Sequence, residues 1–106
     1  MPQFAVHRNR NVETRARFPL LLDVQSDLLE ELGTRVVIPL TPAFGAAKRT
    51  TMQTLTPVCT VVGKDYLLVT PQLAGIAVKE LGSPVADLSP DSQTILGALD
   101  LLFTGI

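Results

Sequence analysis

The sequence predicts an α+β domain in which an antiparallel sheet or small barrel packs against one C-terminal helix. Five or six segments with strand character come first and one helical segment comes last, which argues against repeated βαβ units. Of the 106 residues, 46% are hydrophobic and only 18% are charged. A chain of this length and composition is expected to form a single domain, residues 1–106, with its own hydrophobic core.

The helical segment occupies residues 89–106. Ser89 suits the N-cap position, and Pro90 suits the first helical position. Gly97 should cost about 1 kcal/mol relative to alanine, and we interpret it as a point of close approach to the sheet or to another chain. One face of the helix is predicted to be apolar, because hydrophobic residues recur at helical spacing at Ile95, Leu99, Leu102 and Phe103.

The end of this helix has an unusual charge. No lysine or arginine lies in the last turn, and Asp100 adds negative charge near the negative end of the helix dipole. Gly105 suits the left-handed position of a Schellman motif, in which Ile106 would fold back onto the helix. A second interpretation, compatible with the first, is that Thr104, Gly105 and Ile106 are presented to a partner.

The strands are predicted from the alternation of apolar residues. Residues 3–8 should form a strand with one buried face. Residues 63–65 are the predicted loop of a hairpin, and residues 82–84 are predicted to turn the chain before the helix. Residues 41–56 are a weakly patterned connection. The other strand segments are residues 18–25, 35–40, 57–62, 66–70 and 73–80.

Two segments between the strands are candidates for interaction. Residues 8–17 contain four arginines and one acidic residue, Glu13, so they predict either a solvated loop or a basic surface for an acidic partner. Leu28 and Leu29 are adjacent and cannot both point into one core, so one of them is a candidate exposed contact. The arginines are Arg8, Arg10, Arg15 and Arg17.

Motifs that would indicate an active site are not recognisable. The sequence contains no glycine-rich phosphate loop and no zinc-ligand spacing. His7 is the only histidine and Cys59 the only cysteine, and both are interpreted as structural. Turn chemistry explains the aspartates among the acidic residues Asp23, Asp27, Glu30 and Glu31 better than a metal site does. We expect no catalytic residues, no bound metal and no cofactor.

Composition also limits where in the cell the protein is expected to lie and which classes of partner it is expected to bind. The net charge of −1 gives no global indication of direct nucleic-acid binding. No apolar run is long enough to span a membrane, and the N-terminus has no secretion signal. A single cysteine is compatible with a reducing compartment. We therefore expect a cytoplasmic protein that does not bind membranes.

Several motifs resemble the CcdB family of bacterial toxins, in the family's order and at nearly its spacing. These motifs are the N-terminal QF, the run LDVQSDLL at residues 22–29, VIPL at 37–40, VADLS at 85–89 and LFTGI at 102–106. The resemblance spans essentially the whole chain, although residues 42–62 match only loosely. The pair DVQSD and VIPL is its most specific part.

The resemblance implies a fold and a function. Members of the family are homodimers of an SH3-like barrel of about five antiparallel strands, with a small side sheet and a C-terminal helix. They are toxins of bacterial toxin–antitoxin modules that bind the A subunit of DNA gyrase and trap the covalent gyrase–DNA complex. They have no catalytic activity of their own. A labile CcdA-like antitoxin, through a disordered segment that folds on binding, neutralises them.

The resemblance also implies which residues meet the partners. The gyrase contact would fall on Leu28, Leu29, Asp100, Thr104, Gly105 and Ile106. The antitoxin contact would fall on Arg8, Arg10, Arg15 and Arg17. This chain departs from the family at Thr104, where the best-known members carry a tryptophan. Loss of such an aromatic anchor could remove about 2 kcal/mol or more of binding free energy.

Two alternatives to a gyrase poison remain open. A related toxin family with the same SH3-like barrel consists of sequence-specific ribonucleases. Such an enzyme needs an arginine and polar groups that stabilise a developing phosphorane. Arg35 with Thr34, or Arg15 with Arg17, could be nominated for that role. The other alternative is a toxin-like binding module with a different protein target.

Overall fold

The computed structural model describes residues 2–29, 31–43 and 53–105. Within these residues, seven strands precede one helix, so the predicted order of strands first and helix last is confirmed. The predicted connection at residues 41–56 lies mostly outside the described residues. The strands are β1 (Ala5–Asn9), β2 (Leu20–Asp23), β3 (Thr34–Pro42), β4 (Val58–Val61), β5 (Lys64–Leu68), β6 (Ala74–Ala77) and β7 (Leu81–Asp87), and the helix is α1 (Ser92–Thr104).

The strands form an antiparallel sheet in the order β4-β5-β3-β2-β1-β7. β3 is the longest strand, and β2 lies along one of its edges. The other edge of β3 is shared, because its first half, from Thr34 to Val37, pairs with β6 and its end, from Leu40 to Pro42, pairs with β5. The sheet is thus a curled half-barrel with β6 as a small side addition, and the predicted α+β barrel with one C-terminal helix is confirmed.

The concave face of the sheet and the helix enclose the main hydrophobic core. Leu22, Ile38 and Leu40 are buried at the centre of this core, as the alternation predicts. Ile95 packs against them from α1. The other core residues are Phe4, Val6, Leu20, Cys59, Val61, Tyr66, Leu68 and Leu88.

The second face of the sheet is also covered, and this corrects the prediction that the first strand has one buried face. Ala5 and His7 point away from the main core and are nevertheless buried. Leu21, Val37 and Leu81 form a smaller apolar cluster on this second face. Alternation predicts a single buried face only where the other face meets water, and at Ala5 and His7 the other face of β1 is covered.

Helix α1 begins later than predicted. Ser89 is not its N-cap, because residues Ser89–Asp91 form a 3-10 turn and the helix starts at Ser92. The Ser89 hydroxyl donates instead to Asp87 at 2.6 Å, and the Ser89 N–H donates to the same carboxylate at 2.9 Å. These two hydrogen bonds, the hydroxyl's first, lower the pKa of Asp87.

The buried face of α1 also differs from the predicted one. Ile95 and Ala98 are fully buried, and Leu99 packs partly against the core. Phe103 was predicted to lie on the apolar face, but it is 67% exposed. Gly97 was predicted to mark a close approach, yet no atom of the described chain lies within 4 Å of the position of a Cβ there. The sheet therefore does not explain this glycine.

Two predicted turns are wrong in detail. The hairpin of β4 and β5 has a two-residue loop, because Val61 pairs with Lys64 and only Val62 and Gly63 remain between them. Residues 82–84 do not turn the chain, because Gly82 and Pro84 lie within β7. Since β7 is the last strand in the sheet order, a proline is tolerated there.

Candidate interaction surfaces

The C-terminal end of α1 has the predicted left-handed glycine. Gly105 has φ of 73°, and its N–H donates to the Leu101 carbonyl at 2.9 Å. The Thr104 hydroxyl donates to the Asp100 carbonyl at 2.6 Å. The Gly105 bond satisfies one of the carbonyl groups that the helix end would otherwise leave open. Ile106, and with it the predicted fold-back of a Schellman motif, lies outside the described residues.

One face of the end of α1 is exposed and partly apolar. Asp100, Thr104 and Gly105, three of the predicted gyrase contacts, are all exposed. Leu96 and Phe103 are exposed beside them. Positions 96, 100 and 103 are four and three residues apart, so they share one side of the helix. We call Leu96, Asp100, Phe103, Thr104 and Gly105 the helix-end surface.

A second exposed apolar group lies in the 3-10 turn Asp27–Leu29 and the residues after it. Leu28 is 94% exposed, and Leu29 and Leu32 are about half exposed. The prediction that at least one of the two adjacent leucines is exposed is confirmed. Exposed leucines are common singly on protein surfaces, but clustering of several indicates an interaction site. We call Leu28, Leu29 and Leu32 the leucine turn.

A buried ion pair anchors the leucine turn to the sheet. Nε and Nη2 of Arg35 both lie 2.8 Å from Oδ2 of Asp23, and the two side chains are 1% and 0% exposed. Nη2 of Arg35 also lies 3.7 Å from Oδ1 of Asp27, at the start of the turn. The sequence did not predict that Arg35 is buried. This position gives Arg35 a structural role in holding the leucine turn.

Gln25 and Gln3 complete this polar network. The Gln25 side chain donates to the Leu29 carbonyl at 3.0 Å and accepts from the Val36 N–H at 3.1 Å. The Gln3 N–H donates to Asp27 at 2.8 Å. The DVQSD run therefore supplies the side chains that hold the turn, and turn and ion-pair chemistry account for Asp23 and Asp27. Glu30, a third acidic residue of this region, lies outside the described residues.

The predicted gyrase contacts thus belong to two separately anchored surfaces. The leucine turn is held by the network on β2 and β3, whereas α1 packs on the main core and on the Thr70–Gln72 turn. Both surfaces are exposed, as a binding role requires, but their role as gyrase contacts stays a prediction.

Three of the four predicted antitoxin arginines line one groove. The groove is lined by the arginines Arg8, Arg10 and Arg15 and by three residues of β7, Leu81, Gly82 and Ser83. Asn9 also lines this space of about 700 Å³, which we call the arginine groove. Arg17 is exposed and does not line it, because its guanidinium lies 4.9 Å from the centre of the Phe18 ring.

Gly82 lies in close contact with two residues that line this groove. A Cβ at position 82 would lie 3.0 Å from the Arg8 carbonyl oxygen and 3.1 Å from Cγ of Arg10. A side chain at this position would therefore require these neighbours to shift by a few tenths of an ångström. The loop predicted for residues 8–17 begins only at residue 10, because Arg8 and Asn9 belong to β1. Asn9 fixes its start by donating to the Phe18 carbonyl at 2.8 Å and to Thr14 at 3.0 Å.

Cys59 is buried, as the sequence predicts, and His7 is buried although the alternation placed it on the outer face of its strand. Nδ1 of His7 donates to the Gly82 carbonyl at 3.1 Å, and Nε2 has no hydrogen-bond partner among the described residues. Cys59 lies in the main core, and burial, then the Asp91 and Asp65 carboxylates, raises the pKa of its thiol to about 12. Neither side chain is placed to act as a nucleophile.

Sequence reasoning missed two features of these surfaces. Phe103 was assigned to the core because it follows Leu99 and Leu102 at helical spacing, and no local signal separates it from them. The burial of Arg35 had a signal, since apolar strand residues follow it and four acidic residues precede it nearby, Asp23 among them. In the described part of the chain, no group of three His, Cys, Asp or Glu side chains is arranged to hold a metal ion.

Comparison with known proteins agrees with this architecture. One solved structure that is similar to this chain is an endoribonuclease in complex with its cognate antitoxin from a mycobacterial species. The TM-score is 0.71, and the match covers 96% of this chain and 93% of the other. The two sequences are only 18% identical, so this likeness supports the fold alone.

None of the helices in residues 2–29, 31–43 and 53–105 combines the length and apolar character that crossing a bilayer would require.

The family model for the CcdB protein matches residues 3–105, nearly the whole chain. The chain therefore belongs to the CcdB family, the toxin family that its sequence motifs resemble.

Proposed function

We propose that this protein is the toxin of a toxin–antitoxin module that binds the A subunit of DNA gyrase and traps the gyrase–DNA cleavage complex. It would act as a homodimer and without catalytic activity of its own. Membership in the CcdB family supports the toxin role. The observation that carries the gyrase assignment is the helix-end surface, where Phe103 is exposed beside Thr104 and Gly105.

Phe103 offers an answer to the absence of the family's tryptophan. Large aromatic side chains are frequent anchors at protein interfaces, and an anchor works best when the free protein already exposes it. Phe103 is the neighbour of Thr104 and is two-thirds exposed. In the proposed complex it supplies the aromatic contact that Thr104 cannot.

The leucine turn supports the same assignment. A surface that exposes Leu28 almost completely loses hydrophobic stabilisation in the free protein, roughly 1.5–3 kcal/mol for a leucine side chain. The buried Arg35–Asp23 pair and Gln25 nevertheless hold the turn in one conformation. Such preorganisation lowers the entropic cost of binding.

A gyrase cleavage assay tests the proposal. The purified protein, gyrase, ATP and supercoiled plasmid are incubated, and the products are treated with detergent and protease. We expect linear plasmid to accumulate with the wild-type protein, and at least tenfold more Phe103→Ala protein to be needed for the same yield. Val12→Ala is the matched control, since Val12 is an exposed apolar residue in the N-terminal loop. Absence of linear plasmid with folded wild-type protein would contradict the proposal.

A ribonuclease is the second candidate, because the similar solved structure is named an endoribonuclease. The buried ion pair of Arg35 argues against Arg35 and Thr34 as its catalytic groups. Arg15 and Arg17 are exposed and would have to serve instead. Incubating the same preparation with cellular RNA separates the two candidates: cleavage that Arg15→Gln and Arg17→Gln abolish would favour the ribonuclease.

The proposed antitoxin is an acidic, disordered protein of the CcdA-like kind that meets the arginine groove. Charge complementarity supports this partner, because three arginines and no acidic residue line the groove. A gyrase site on the helix end and an antitoxin site on the N-terminal loop would be separable by mutation.

A further inference from the structure

A cavity of about 210 Å³ lies on the second face of the sheet. Most of its wall is apolar, and Asn11 and Thr14 of the N-terminal loop also line it. Its size suits one large hydrophobic side chain of a partner. The apolar wall consists of Phe18, Leu21, Val37, Pro39, Ala74 and Ile76.

The cavity adjoins the arginine groove. Asn9 lines both spaces, and Glu80 of the cavity and Leu81 of the groove are consecutive residues. The partition between them is fixed, since the Glu80 carbonyl accepts from the Arg10 N–H at 3.1 Å. The Glu80 carboxylate accepts from the Asn11 side chain at 3.3 Å. Because the two spaces meet at Asn9 and at Glu80–Leu81, a single extended ligand that passes over this partition could occupy both.

The chemistry of the two spaces indicates what that ligand is. The groove presents Arg8, Arg10 and Arg15 and favours carboxylates, whereas the cavity favours an apolar group. RNA is less suitable for the second space, because the cavity's one aromatic side chain, Phe18, already lies against the guanidinium of Arg17. Bases usually bind by stacking on free aromatic faces.

We infer that the groove and the cavity form one two-part site for an acidic peptide segment that inserts a large apolar residue beside its acidic residues. This inference rests on the proposed toxin function, since the segment would belong to the antitoxin. It adds a requirement that charge alone does not impose: the acidic segment must carry an apolar anchor at a fixed distance from its carboxylates.

The test uses two short fluorescein-labelled peptides made of Asp, Glu, Gly and Ser, identical except for a central Phe or Ala. Fluorescence anisotropy measures their affinity for the full-length protein at low and high salt. We expect the Phe peptide to bind about tenfold more tightly than the Ala peptide, as for a buried interface anchor. Equal affinity of the two peptides for the wild-type protein would overturn the inference.

Variants separate the two parts of the site. Ala74→Leu should fill the cavity and make the two peptides bind equally. Arg10→Gln combined with Arg15→Gln should weaken both peptides, reduce their salt dependence and preserve the preference for Phe. Ala16→Leu is the control, because it adds the same side chain at an exposed loop position outside both spaces. A preference for Phe that survives in Ala74→Leu would contradict the assignment of the cavity.

Two further results would distinguish this inference from its alternatives. A labelled single-stranded RNA that binds more tightly than either peptide would overturn it in favour of a nucleic-acid groove. The gyrase assay is scored separately with the same preparation. Peptide selectivity without gyrase poisoning would support the two-part site and reject the proposed gyrase function. Gyrase poisoning without peptide selectivity would support the gyrase function and overturn the two-part site.

Discussion

At the residue scale, the most unusual pair in the sheet is Arg35 and Asp23. Two buried opposite charges contribute little net stability, because their attraction is offset by the loss of hydration. Removing only one of them is costly, since the other charge then stays buried without its partner. The pair therefore specifies where the leucine turn lies rather than adding stability to the domain.

We predict that Arg35→Leu lowers the free energy of unfolding by about 3–5 kcal/mol. Asp23 would keep its hydrogen bond from the Gln25 N–H but would lose both contacts to the guanidinium. Urea titration measures the effect, and the exposed Arg8→Leu, which we expect to change it by less than about 0.5 kcal/mol, is the control. A loss for Arg35→Leu no larger than that of the control would contradict a buried ion pair.

Cys59 gives a second prediction at this scale. Its thiol should react slowly with a disulfide reagent at neutral pH in the native protein and quickly in urea, because only the thiolate attacks. The folded pKa is raised from 9.0 to about 12, so above pH 9 the unfolded chain ionises first and stability falls as pH rises through this window. Cys59→Ala should remove that part of the alkaline loss, and rapid labelling of native protein would contradict the assignment.

At the element scale, the sequence predicted the inward residues of the strands well and the covering of the sheet poorly. Leu20, Leu22, Ile38 and Leu40 lie in the main core, as their alternation indicates. The second face is covered in part by residues distant in sequence from β1, such as Ile76 of β6 and Leu81 of β7, and no local pattern in β1 records them. His7 shows the limit, because whether it lies in water or against Gly82 depends on a contact 75 residues away.

The loop of the β4–β5 hairpin gives a prediction at the element scale. Val62 has φ of 50° and is 77% exposed, and a β-branched residue in this left-handed conformation costs roughly 1–2 kcal/mol. Two-residue hairpin loops of this kind favour Asn-Gly, so Val62→Asn should raise the free energy of unfolding by about 1 kcal/mol. Thermal unfolding measures this change, with Val12→Asn as control, and a lower melting temperature for Val62→Asn would contradict it.

Helix α1 shows why only part of the helix-end surface could be predicted from the sequence. Spacing alone places Leu99, Leu102 and Phe103 on a common stripe. The half-barrel covers only the side of α1 around Ile95 and Ala98. Phe103, at the edge of the apolar stripe, is therefore exposed. The width of the covered sector is a property of the sheet beneath and is not encoded in the helix.

At the scale of the whole molecule, the unexplained glycine of α1 bears on assembly. We predict a homodimer at micromolar concentration, measured by light scattering, in which the two helices lie close together near the two-fold axis. Gly97→Ala should weaken the dimer, although alanine favours an isolated helix by about 1 kcal/mol. Gly75→Ala is the control, since its Cβ would also meet no atom of the described chain. A monomeric wild-type protein would reject the dimer.

The pairing of the first strand with the last has a consequence for how the protein is made. β1 pairs with β7 through residues such as Val6 and Ala86, so the amino-terminal strand stays half-paired throughout most of synthesis. Leu88 and Ile95 join the main core later still, and such long-range contacts form slowly. We expect ribosome-stalled chains that lack β7 to be protease-sensitive and chains that include α1 to be resistant. The nascent chain on the ribosome would then lack the folded helix-end surface. This surface would become functional only after α1 has been synthesised.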